Sequence, residues 1–203
     1  GVGLNAFLTS VITMLSLAEL GIGTAIVYHM YLPLANGDTV QIKRLMNFYK
    51  TVYRAIAAAI LVLGLILLPF MPKMAGDTSY SKSYISLIFV LFLLQTTSSY
   101  FFTYKRSLLS ADQKQYVITL FDLGYKIFTV VLGIAVLKLT HELAYYLILL
   151  IISTVGENVF LSKKVDKMYP YILEKSEKLP KKECIEIARD VKNIFVAKLS
   201  AVV

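Results

Sequence analysis

The sequence predicts an all-α, polytopic membrane helix bundle, and three observations carry that prediction. Of 203 residues, 57% are hydrophobic and only 17% are charged, with a mean hydropathy of +0.67, far from the balance of a soluble domain. The apolar residues gather into runs of about 20, the length that crosses a hydrocarbon core. The charges fall between the runs, where turn residues also collect.

The first span, about 4–32, holds the least ordinary stretch, Ser16 to Ile26. Glu19 sits there beside Gly21 and Gly23. An ionisable side chain at that depth costs roughly 2.5 to 3.5 kcal/mol on insertion scales and normally faces a bundle interior or a watery cavity. Thr9, Thr13, Ser16, Glu19 and Gly23 recur at three or four residues and share one helix face. Gly21 and Ala25 also fit a close helix contact, so packing and a cavity role are both open for the span. Packing does not explain Glu19. Pro33 and Ala35-Asn36-Gly37-Asp38 end the span, and a basic, amphipathic connector to residue 50 carries Lys43, Arg44 and Lys50.

The second span, about 51–71, has one charge near its start, Arg54, which either snorkels to the headgroups or lines a cavity mouth. Pro69 and Pro72 close it. The third, about 83–104, is uncharged, and Gln95, Ser99 and Arg106 form a polar side that ends in a cation. The fourth, about 115–137, contains Asp122 and Lys126, four apart and within reach of each other; a packing ion pair and a titratable or ion-binding pair are both open. The fifth, about 143–161, ends in Ser153, Thr154, Glu157 and Asn158, with Glu157 read first as an interfacial carboxylate.

A connector, 162–193, carries nine basic and six acidic residues and is expected to be solvated, with a helix around Lys181 to Lys192. Residues 194–203 read as the opening of another span, and the chain, starting at Gly1, is expected to be a fragment. Basic residues concentrate in loops 33–50, 105–114 and 162–193, which the positive-inside rule makes cytoplasmic. Tyr28, Tyr31, Tyr49, Tyr53, Tyr84, Tyr104 and Tyr116 at the span ends are expected to form an aromatic belt.

Function classes narrow by chemistry. The net charge of +8 lies on these loops, where anionic headgroups account for it without nucleic acid. His141-Glu142 begins like a zinc-protease helix, but Tyr145 stands where the second ligand belongs. Gly21-Ile22-Gly23 lacks the third glycine of a dinucleotide site. Cys184 is the only cysteine, so neither a disulfide nor a thiolate metal site is available. No cofactor and no enzymatic chemistry are expected.

Leu4-Asn5-Ala6-Phe7-Leu8-Thr9-Ser10, followed by Met14 to Ile26, resembles the second transmembrane segment of bacterial polysaccharide flippases, which carry O-antigen or capsule repeat units. Tyr104-Lys105-Arg106-Ser107-Leu108-Leu109-Ser110-Ala111-Asp112-Gln113-Lys114 resembles the link between their fourth and fifth segments. The family belongs to the multidrug/oligosaccharidyl-lipid/polysaccharide exporter superfamily. The resemblance implies two six-helix lobes around a cavity, of which 1–161 is most of the first lobe, 162–193 the interlobe loop and 194–203 the start of the second lobe.

It further implies movement of an undecaprenyl-pyrophosphate-linked oligosaccharide from the inner to the outer leaflet of the bacterial cytoplasmic membrane by alternating access, coupled to a proton or sodium ion, with contacts to a glycan polymerase among its partners. Arg54, Lys105, Arg106 and Lys126 are the expected substrate-binding residues. Glu19, Asp122 and Glu157 are the expected coupling-ion or cavity groups. The alternatives are a multidrug or small-molecule cation antiporter of the same superfamily, and a membrane subunit of a glycan polymerase.

Overall fold

A computed structural model describes residues 10, 22–74 and 81–200; Glu19, Gly21 and the rest of that polar face before Gly23 lie outside the described residues. Within them every regular element is helical: α1 (Ile22–Ala35), α2 (Thr39–Leu67), α3 (Lys82–Ala111), α4 (Gln115–Thr140), α5 (Leu143–Met168) and α6 (Lys181–Ser200), with 3-10 turns at Leu68–Phe70 and Pro170–Leu173 and a single helical turn at Met71–Met74. Four stretches are long and apolar enough to cross a membrane: Thr39–Met74, α3, α4 and α5. The chain is an all-α membrane helix bundle.

The turn residues after the first span work as their chemistry dictates. Gly37 takes φ +66°, its N–H and that of Asp38 bond back to the carbonyls of Leu34 and Pro33 at 3.2 and 2.9 Å, and this closes α1 with a left-handed cap that suits glycine. Asp38 then caps α2, accepting from the Gln41 N–H at 2.9 Å. With no proline or glycine until Gly64, α2 runs unbroken from Thr39, so the basic connector and the second apolar run are one helix. The same holds for Lys105-Arg106, which continues α3 to Ala111, and for Lys181 to Ser200, which spans the expected boundary at 193.

The core is a spine on α2 (Ile42, Leu45, Met46, Tyr49, Tyr53, Ala57, Ile60) against one on α3 (Ile85, Ile88, Phe89, Leu93, Tyr100, Leu108). On α2 these recur every three or four residues and on α3 at three, four, seven and eight, the spacings of a single helix face. At Gly64 the helices come so close that an added Cβ would lie 2.4 Å from Leu93 Cδ1, the small-residue contact that membrane helices use in place of a hydrophobic drive. α5 covers the other side of α3, and α4 lies outside on α5, with only 6% of its apolar window buried. Tyr28, Tyr31 and Tyr116 are exposed, as an aromatic belt requires. Tyr49 and Tyr53 are not part of it: they are 1% and 0% exposed, turned inward because they fall on the α2 core spacing, with Tyr53 6.5 Å from the Tyr100 ring.

The hairpins leave two unlike ends. One holds Met71–Met74, Ser81–Tyr84 and the α4–α5 turn, where the Tyr84 hydroxyl donates to Glu142 at 3.1 Å. The other holds the α1–α2 turn, the α3–α4 turn and the segment from Tyr169 to Lys181, and here the basic residues crowd.

Candidate functional site at the basic end

The α2 face that carries Lys43, Asn47, Lys50 and Arg54 advances by four, three and four residues, so these side chains line up along one side of the helix. Opposite stand Thr97, Ser98, Phe101, Tyr104 and Lys105 of α3. Between them lies a cavity of about 580 Å³, lined by Lys50, Arg54, Lys105, Ser162, Phe101 and Phe102 toward the basic end and by Leu61 and Leu94 toward the other, with Thr97 and Ser98 between. Leu61 is two helical turns, about 10 Å, beyond Arg54. A second cavity, of about 420 Å³, shares Lys50, Tyr104 and Lys105 and adds Lys43, Lys175 and Glu174. The cleft is cationic at one end and greasy at the other, the lining that suits an anionic amphiphile.

The cations are not equivalent. Lys105 is 8% exposed and spoken for: its Nζ donates to Ser162 Oγ at 2.6 Å and to both Asp166 oxygens at 2.6 and 2.7 Å. Lys43 pairs with Glu174 at 2.8 Å. Among the described residues Lys50, Arg54 and Lys175 of the cleft enter no ion pair, and of these Lys50 and Arg54 line the larger cavity. The Thr97 hydroxyl, in the same wall, is buried with no hydrogen-bond partner among the described residues.

Arg106 is elsewhere, on the α5 side of α3. Its Nε donates to Asn158 Oδ1 at 3.1 Å, Nη1 to Asp122 Oδ1 at 2.6 Å and Nη2 to Glu157 Oε1. One guanidinium therefore ties α3, α4 and α5 together, using the planar fork that lysine lacks. Asp122 does not pair with Lys126: the neighbouring helix offers a better-placed cation, and Lys126 stays exposed one turn further on. Glu157 is not at a free interface either; its side chain is 17% exposed and engaged. The polar sides of the third and fifth spans meet, since Gln95 donates to Thr154 at 3.4 Å a few turns from the Arg106–Asn158 contact.

Of the expected substrate-binding residues, the structure thus gathers Arg54 and Lys105 around one cleft and separates Arg106 and Lys126 from it. Lys50 and Lys43 join the cleft. Sequence reading passed them by because it assigned them to a connector, although their spacing from Arg54 was the available signal. At the α3–α4 turn, Asp112 accepts from Lys114 at 2.6 Å and from the Tyr169 hydroxyl at 2.5 Å. Burial pushes the Asp112 carboxyl up, but those hydrogen bonds and the Lys114 charge outweigh it and hold the group below the usual carboxylate range. Burial, then the same carboxylate, raises the Tyr169 hydroxyl far above its ordinary value. Tyr169 stays a donor, and the connector is anchored there.

Among the described residues no three His, Cys, Asp or Glu side chains converge as metal ligands would. Comparison with family models, with curated proteins and with solved structures finds no match to this chain.

Proposed function

We propose that the chain belongs to an exporter that moves a polyprenyl-pyrophosphate-linked oligosaccharide from the inner to the outer leaflet of a bacterial cytoplasmic membrane, as the resemblance to polysaccharide flippases implies. The observation that carries this reading is the cleft in which Lys50 and Arg54, without an ion pair among the described residues, line a largely apolar cavity. A pyrophosphate needs cations, and arginine and lysine both serve; a polyprenyl tail needs the greasy wall. The carboxylates favour an anion over a cation as cargo: Asp122 and Glu157, which a cation antiporter would use, are already held by Arg106. The Arg106 cluster holds two carboxylates for one guanidinium, an imbalance that one proton or sodium ion would correct, and this supports ion coupling at that point.

The basic end is the cytoplasmic one in this reading. Maleimide should reach a cysteine at His141 from outside intact cells and Cys184 only after permeabilisation; the opposite pattern would reverse the orientation. The functional test is expression of the full-length protein in cells that lack their own repeat-unit exporter. Lipid-linked repeat units are expected at the outer face, and efflux of a cationic dye such as ethidium is not. Dye efflux without delivery would support the antiporter reading instead.

A further inference from the structure

We infer that the segment Tyr169–Leu179 is a strap that holds its own carboxylates on the basic cleft and is displaced by an anionic headgroup, which makes the connector a sensor of cleft occupancy. The inference rests on the exporter reading, since it concerns regulation of the same site.

The segment is pinned at both ends and spans the cleft between them. Tyr169, 6% exposed, bonds to Asp112 and lies under Lys114, whose Nζ is 5.1 Å from its ring centroid. Leu179, 8% exposed, enters the core, and its carbonyl accepts from Cys184 Sγ at 3.7 Å. Between these anchors the 3-10 turn Pro170–Leu173 brings Ile172, Leu173 and Glu174 into the wall of the cavity that Lys50 and Lys105 also line. Glu174 sits on Lys43 at 2.8 Å and Glu177 on Arg44.

The two pairs are lopsided. The cation side chains are 16% and 28% exposed, whereas Glu174 and Glu177 are 63% and 77% exposed. Lys43 lines the cleft with Glu174, Arg44 follows it on α2 outside the cavity wall, and in both pairs the carboxylates are the more exposed partners. An ion pair with so exposed a partner contributes little, so a phosphate dianion, with more charge and more acceptor atoms, outcompetes a carboxylate for the same cation. Beyond the strap, α6 is fastened to the bundle by Gln41–Glu183 and His29–Asp190. Release of Glu174 and Glu177 leaves Leu179 and these two contacts as fastenings of α6 and so lets its first turn, where Cys184 lies half-buried, open more often.

Cys184 supplies the readout. The full-length protein in nanodiscs is alkylated with a maleimide, and the rate at Cys184 is followed by peptide mass, with binding of undecaprenyl pyrophosphate measured in the same samples. Without ligand, the Glu174→Gln/Glu177→Gln variant is expected to react about three- to ten-fold faster than wild type. Undecaprenyl pyrophosphate should raise the wild-type rate to the variant's level and leave the variant unchanged, while neutral undecaprenol does nothing. Release by inorganic pyrophosphate as well would support a headgroup effect with no need of the tail; release by the lipid alone would support delivery from the membrane. Equal ligand-free rates in variant and wild type would overturn the strap. Binding of the pyrophosphate lipid without a change at Cys184 would overturn the exchange while leaving the exporter reading intact, and absence of any binding would count against that reading itself.

Discussion

Replacing Lys50 and Arg54 together by glutamine is expected to lower delivery of lipid-linked repeat units by about 100-fold, with the abundance of the membrane protein within a factor of two of wild type. The size follows from the contacts that would be lost. A hydrogen bond to a charged group contributes about 1.5 to 3 kcal/mol, two of them exceed 2.7 kcal/mol, and each 1.4 kcal/mol is a factor of ten. The unchanged abundance follows from the structure: Arg54 is exposed, Lys50 is half-buried, and neither holds a partner whose charge would be orphaned among the described residues. The single variant Arg54→Lys separates the two readings of that residue. A lysine reaches the headgroups about as well as an arginine, so a snorkelling Arg54 predicts wild-type delivery, whereas a phosphate fork predicts a several-fold loss. The measurement is surface repeat units per cell at matched expression. Wild-type delivery by the double variant would remove the cleft from the mechanism.

Arg106→Gln is expected to fail for a different reason, by losing folded protein. The substitution strips the partner from Glu157 and Asp122 at once and leaves a buried carboxylate uncompensated. Breaking a buried ion pair costs about 3 to 5 kcal/mol; because Asp122 is half-exposed, on the order of 2 to 3 kcal/mol is the reasonable expectation here. Heating the detergent-purified protein should then show a lower midpoint for loss of soluble material. Adding Asp122→Asn and Glu157→Gln to Arg106→Gln should restore most of the stability, as a coupled cluster requires. Arg106→Lys should recover part, since a single ammonium cannot address three acceptors on two helices in the geometry of a fork. If Arg106→Gln is as stable as wild type and loses only transport, the cluster serves transport, as a coupling or substrate contact, and does not hold the fold.

The fold class lay open in the sequence because the membrane is a simple solvent: it demands about 20 apolar residues per crossing, and the runs supply them. The α1–α2 turn was equally legible, since Gly37 and Asp38 carry their conformations with them. Helix length was not. Lys43, Arg44 and Lys50 lower the local hydropathy, so hydropathy alone starts the second span at Thr51, although nothing between Thr39 and Gly64 interrupts a helix. That boundary cut the series Lys43, Asn47, Lys50, Arg54 in two and hid the face that builds the cleft.

Partner choice was the other blind spot. The i, i+4 rule offers Asp122 the lysine on its own helix, but a guanidinium arriving from α3 serves Asp122, Glu157 and Asn158 together, and tertiary placement prevails over local spacing. The polar sides of the third and fifth spans could each be drawn from sequence. That they face each other could not, because periodicity gives the direction of a face and says nothing of its neighbour. Glu19, the residue that first marks the chain as more than a bundle of anchors, lies outside the described residues.

The most direct test of the cleft is equilibrium binding of undecaprenyl pyrophosphate to the purified full-length protein in nanodiscs of zwitterionic lipid, with undecaprenol as the uncharged control. The cleft predicts saturable binding of the pyrophosphate lipid, at least 10-fold tighter than the alcohol, weakened by added salt and abolished by Lys50→Gln/Arg54→Gln. Equal affinity for the two lipids, or full binding by the double variant, would contradict it.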